Sequence, residues 1–178
     1  MDRRMGTTEI GIEQLKEHLE LMARCRMAGM RRGDKEIHFF GSEDLVRQHG
    51  REFSFFQLPN GHNLPDYPKS CFYNAYRAAS RRNSKWIYVE GYAVASMGVP
   101  VHHAWLTRKD APNTAFDPTW NDRGGLMYLG IPFTRDYVME IRKSSRVEFY
   151  ILDTYWLGWP LFYGKHKIED VMESLICK

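Results

Sequence analysis

Three strand-like segments crowded into residues 85–117 constrain the fold most. Residues 85–95 (KWIYVEGYAVA) and 99–108 (VPVHHAWLTR) are rich in aromatic and β-branched side chains, and 114–117 reads as a short third strand. Residues 96–98 and the turn at 109–113 leave no room for a crossover, so neighbouring strands must run antiparallel. A helix precedes them. From Ser70 onward Phe72, Ala75, Tyr76 and Ala79 repeat at helical spacing, with Arg77, Arg81 and Arg82 gathered toward the end. A helix followed by an antiparallel sheet makes the fold class α+β.

The remaining chain is read around that unit. A helix capped at Thr7 or Thr8 runs through Ile12, Leu15, Leu19 and Met22, and the basic, glycine-punctuated run 24–34 reads as the helix end and a loop. Residues 35–40 read as a short strand, Ser42 as the cap of a helix over 43–49 ended by Gly50, and 51–58 as another strand. Residues 59–69 hold three prolines and an Asn-Gly pair, so they form a loop that delivers the chain to Cys71. After the Gly124-Gly125 turn come an apolar segment at 127–133, a helix capped by Thr134 and a strand at 146–154. An aromatic stretch at 155–163 and a closing amphipathic helix at 168–176 complete the chain. Trp156, Trp159 and Phe162 read first as core packing and second as groove walls. Residues 1–178 are expected to form one domain: an N-terminal helical and loop region (1–69), a catalytic core (70–120) and a C-terminal completion of the sheet (121–178).

The chemistry lies in Cys71, His103 and Asp117. A cysteine, a histidine and a carboxylate are what thiol-based acyl transfer needs: nucleophile, proton carrier, and a group that orients the imidazole. With Ser70 as N-cap, Cys71 falls in the first helical turn, where the dipole and unpaired N–H groups favour a thiolate. The strand places Val101, His103 and Trp105 on one face and His102, Ala104 and Leu106 on the other, so only one of the adjacent histidines can face a given site. Glu90 shares a side with Trp86, Tyr88 and Tyr92. Asp117, before Pro118, is in extended backbone near a strand end and also fits an Asx-type turn. Cys25 and Cys177 read as small buried hydrophobes.

Composition narrows the partners. A net charge of +3 is too slight to argue for nucleic acid, and Arg24, Arg26, Arg31 and Arg32 read as a solvated helix end. A nucleic-acid surface built from 24–32 and 77–82 is the competing use, and it would show steep salt dependence. Three cysteines without zinc or paired-disulfide spacing fit a reducing compartment. With no signal-peptide pattern and no membrane-length apolar run, a cytoplasmic location is expected. Zinc on His102, His103, Cys71 and Asp117 is disfavoured because adjacent strand histidines diverge. No metal or cofactor is expected.

Cys71 at a helix start, Tyr88-Val89-Glu90-Gly91-Tyr92-Ala93, His103-Ala104-Trp105 and Asp117-Pro118-Thr119 together resemble the transglutaminase-like branch of the papain-like superfamily. The likeness covers about residues 70–120. It implies a papain/transglutaminase-like core, with the catalytic helix packed on a small antiparallel sheet. It also implies Cys71 as nucleophile, His103 as general base and acid, and Asp117 as orienting carboxylate. His103 is preferred to His102 because it directly precedes Ala104-Trp105. The family often has glycine and small polar residues before the cysteine; here stand Pro68-Lys69-Ser70. Cys71-Phe72-Tyr73-Asn74 is also similar to the Cys-x-x-Asn of arylamine N-acetyltransferases, without their preceding Arg-Gly-Gly. The Cys71 N–H is one oxyanion donor, and Gln57 or Asn63 is a candidate for the second. Trp105, Trp120 and Glu90 are candidates for a substrate groove. The function expected is hydrolysis of a peptide, protein or small amide or ester substrate through a thioester. Amine acyl transfer on the same triad is the alternative, and a non-catalytic binding or inhibitory module on the same fold is the reading from another class.

Overall fold

Alternation with a period of two gives each central strand one face for a narrow interior and one for the helices. The computed structural model describes residues 5–29, 37–145 and 149–175, with side chains from residue 11 onward. In chain order the elements are α1 (Met5–Gly29), α2 (Ser42–His49), β1 (Arg51–Phe55), α3 (Cys71–Ala79), β2 (Ile87–Val94), β3 (Pro100–Arg108), β4 (Ala111–Phe116), β5 (Met127–Phe133) and α4 (Arg135–Ser144). A 3-10 turn at Tyr155–Leu157 and the single-turn α5 (Ile168–Val171) follow. The chain is α+β.

The sheet is a closed barrel in the order β1-β4-β3-β2-β5, with one parallel pairing where a small antiparallel sheet was expected. Closure comes from β1, which pairs antiparallel with β5 and parallel with β4, Ser54 opposite Thr114. Closing the sheet leaves no bare edge to be covered. Val89, Ala93, Phe53, Ala115, Trp105 and Tyr128 fill the interior, while Tyr88, Tyr92, Ala104, Leu106, Leu129 and Ile131 meet the helices outside. So small a barrel encloses an indole only because glycine faces it. A Cβ on Gly130 would stand 2.5 Å from Trp105 Cη2, and one on Gly91 would stand 2.2 Å from the Leu129 carbonyl oxygen.

Several sequence expectations change. The first helix ends at Gly29, within the run 24–34 read as helix end and loop, and residues 30–34 lie outside the described residues. The strand expected at 35–40 is absent over 37–40, and residues 35 and 36 lie outside the described residues. Ser42 is inside α2, whose N-cap is Gly41 at φ 104. Residues 149–154 join no ladder, because the Ile151 and Leu152 amides are bonded to the Glu90 side chain instead. Residues 146–148 of that expected strand lie outside the described residues. The closing helix stops at Val171, since Met172 and Glu173 turn to bond the end of β5 at Phe133 and Pro132. Trp156 and Phe162 pack against the outer core, while Trp159 is exposed and donates to Asp153. Cys25 is exposed, contrary to its expected burial, and Cys177 lies outside the described residues. Among the described residues no helix is long and apolar enough to cross a membrane.

Candidate active site

The site begins where the proline-rich loop becomes α3. Cys71 is the first residue of that helix and is half-buried. Ser70 holds the N-cap position without capping through its side chain, which donates to the Pro68 carbonyl at 3.2 Å. First-turn amides have no partner within the helix, so the N–H of Cys71 is available to a ligand. One turn on, Asn74 is fully buried and accepts from the Tyr67 N–H at 3.1 Å. Its amide donates to the Tyr67 carbonyl at 2.8 Å and to Thr119 Oγ1 at 2.9 Å. Three positions apart on a helix, Cys71 and Asn74 share a face. The clamp therefore fixes Cys71 against the segment that leaves β4.

That segment carries Asp117, which has no solvent exposure. Its Oδ1 accepts from the Thr119 and Trp120 amides at 3.0 and 3.1 Å, which is the Asx-type turn. Its Oδ2 takes the His103 Nε2 at 2.7 Å and the Tyr128 hydroxyl at 2.9 Å. One carboxylate thus serves both readings of this residue. His103 is 2% exposed and lies under Trp120, the two rings 4.0 Å apart and nearly parallel. Burial opposes a charged His103, but the Asp117 charge and hydrogen bond, followed by a hydrogen bond with Cys71, outweigh it. The pKa is pushed up to about 9. With Nε2 given to Asp117, Nδ1 is the ring nitrogen left for the thiol. Burial, then the Asp117 charge, pushes the Tyr128 hydroxyl far above its ordinary value, so it stays a donor.

On the other face of β3 stands a second histidine–carboxyl pair. His102 Nε2 lies 2.9 Å from Glu90 Oε1. Glu90 is fully buried and also accepts from the Tyr88 hydroxyl at 2.6 Å and the Ile151 and Leu152 amides at 2.8 and 3.0 Å. It anchors the 149–152 segment to the barrel. The two histidines therefore diverge, each toward its own carboxyl group. Among the described residues no group of three or more His, Cys, Asp or Glu side chains is placed to hold a metal ion.

The structure thus brings Cys71, His103 and Asp117 together, with Trp120 covering the imidazole. Glu90 and Trp105 have no exposure and cannot line an open groove; Glu90 ties down a loop and Trp105 fills the barrel. Asn63 is exposed, and its carbonyl is bonded by Arg81 beyond the far end of α3, away from Cys71. Gln57 is exposed beside Leu58, whose backbone is clamped by the Asn121 side chain on both sides, at 2.6 and 3.2 Å. The arginines are spent piecemeal: Arg24 pairs with Glu20, Arg26 with Glu43, and Arg77 lies over Tyr73. Arg31 and Arg32 lie outside the described residues.

Tyr128 is the residue that sequence reasoning passed over. It sits in an apolar strand segment, and nothing local distinguishes a tyrosine that bonds a carboxylate from one that fills a core. Asn74 left a faint signal in the Cys-x-x-Asn spacing. No family model matches the chain, and no curated protein or solved structure matches it.

Proposed function

We propose that this chain is a thiol-dependent acyl-transfer enzyme that hydrolyses peptide or amide bonds through a thioester on Cys71. The proposal includes a core of the papain/transglutaminase-like type. One observation carries it: a buried imidazole, held by Asp117 on one nitrogen and reached by the Cys71 thiol on the other, with its proton affinity raised to about 9. An imidazole that keeps its proton at neutral pH is a general acid in contact with a sulfur nucleophile.

The Cys71 thiol passes its proton to His103 Nδ1, and the resulting thiolate attacks the substrate carbonyl carbon, forming the S–C bond and moving an electron pair onto oxygen. The Cys71 backbone N–H stabilises that oxygen, with Gln57 as the side-chain candidate for a second donor. His103 gives its proton to the leaving nitrogen, the C–N bond breaks and the amine departs. Water then yields a proton to His103 and attacks the thioester, the C–S bond breaks, and the acid leaves. An amine in place of that water would give a transferase. Asp117 holds the ring with Nδ1 toward sulfur throughout, and Trp120 excludes water from one face of it.

The test is covalent trapping. Brief exposure to p-nitrophenyl acetate should place one acetyl group on Cys71, located by peptide mass spectrometry, and His103→Ala should slow its appearance at least a hundredfold. Exposed Cys25 is the internal control. Labelling of Cys25 as fast as Cys71, or a rate indifferent to His103, would overturn the assignment.

A further inference from the structure

At the start of α3 is a cavity of ≈310 Å³ whose wall includes both sequence neighbours of Cys71, Ser70 and Phe72. That volume is at the small end for ligand pockets, enough for one side chain or short acyl group. Phe72, Tyr76, Phe149 and Tyr150 form its apolar walls, and Lys69 and Arg142 bring cations to it. The walls are held by ring contacts: Phe72 meets Tyr150 edge-on at 4.6 Å, and Tyr76 meets Phe149 at 5.1 Å. The guanidinium of Arg142 lies 5.7 Å above the Tyr76 ring and gives one N–H to the Ser145 carbonyl at 3.1 Å. Its head is thereby oriented while other donors remain. Lys69 adopts φ 59, a left-handed conformation that a lysine rarely takes, two residues before the nucleophile. Among the described residues neither Lys69 nor Arg142 is paired with a carboxylate; the ion pairs there involve other cations.

We infer that this cavity is the acyl-side specificity pocket of the enzyme and that it selects substrates carrying a carboxylate on a short carbon stem. The inference rests on the thiol acyl-transfer reading for its place in the reaction. The walls take the stem by apolar contact, and Lys69 and Arg142 take the carboxylate by charge-assisted hydrogen bonds. An acyl group so held presents its carbonyl at the helix start, where the Cys71 N–H is free.

The test compares two esters of similar length, p-nitrophenyl hemiglutarate and p-nitrophenyl valerate, by the rate at which each acylates Cys71 in the full chain. The wild type should favour the hemiglutarate by about tenfold or more, the effect of one charge-assisted contact. Lys69→Met with Arg142→Met should erase that preference, so that the two esters acylate Cys71 at rates within about twofold of each other. Equal rates in the wild type, or a preference that survives the double substitution, would overturn the pocket assignment. Should neither ester acylate Cys71, the reaction itself is refuted, and the pocket is judged separately by titrating glutarate into Cys71→Ala protein with NMR detection. Shifts at Phe72 and Tyr150 that vanish in the double variant uphold the carboxylate site. Their absence refutes it.

Discussion

Replacing Asp117 with asparagine tests the electrostatic core of the site without changing its shape. In the native chain Asp117 charge and hydrogen bonding override the burial of His103 and raise its pKa from 6.5 to about 9. A histidine whose folded pKa exceeds its unfolded one stabilises the fold fully below the unfolded value, and loses that contribution as pH rises through the folded one. At roughly 1.4 kcal/mol for each pH unit of the gap, the contribution is about 3 kcal/mol below pH 6.5 and nothing well above pH 9. In Asp117→Asn the side-chain oxygen keeps the Thr119 and Trp120 amides, and the new NH₂ faces the acceptor sites of Tyr128 and a neutral His103. Burial then acts alone and favours the uncharged ring. Urea unfolding of both proteins from pH 5.5 to 10 should give a stability difference that is largest at the acid end, shrinks by about 3 kcal/mol between about pH 6.5 and pH 9, and is level beyond. Repeating both series in Cys71→Ala protein separates the smaller share that the thiol adds. A difference constant across pH would refute the account, since a merely steric effect of the substitution carries no pH dependence.

Three further outcomes follow from the same geometry. Cys71→Ala should abolish turnover with an unchanged circular dichroism spectrum, and His103→Ala should reduce kcat/KM by at least about a hundredfold more than His102→Ala; equal effects would place the chemistry on the other face of β3. Glu90→Gln must turn its NH₂ toward either the Ile151 or the Leu152 amide, both now bonded to the carboxyl. One buried donor is left unsatisfied, costing about 2–3 kcal/mol and lowering Tm by roughly 5–10 °C; an unchanged Tm would mean that the 149–152 segment is not anchored there. Gly130→Ala sets a methyl against Trp105 and should destabilise by about 1–3 kcal/mol. Trp105→Phe should partly relieve that cost in a double-mutant cycle, and additive effects would refute the contact.

The central segments were legible because their signals are local. Strand alternation put His103 with Trp105 and His102 with Leu106, and those pairs do occupy the barrel interior and its outer face. The helix start at Cys71 and the break at residues 59–69 were written in side-chain spacing and proline content. Where the reading failed, the deciding partner was distant in the chain. Residues 149–154 alternate like a strand, yet their amides are taken by a carboxyl group some sixty positions earlier. Glu90 and Trp105 have the composition of groove residues, but the faces they project from are closed over by other elements.

By itself the sequence determined the α+β class, the order of helix and strands, and which of the adjacent histidines shares a face with Trp105. Only the tertiary structure decided that β1 closes the sheet with one parallel pairing, that Tyr128 supports Asp117, that Trp120 covers His103, and that Lys69 and Arg142 meet at one cavity. The division has a physical origin. Side-chain periodicity and helix ends depend on backbone geometry over a few residues, whereas strand pairing, burial and ion placement depend on which surfaces meet, and that is settled by contacts between residues far apart in the chain.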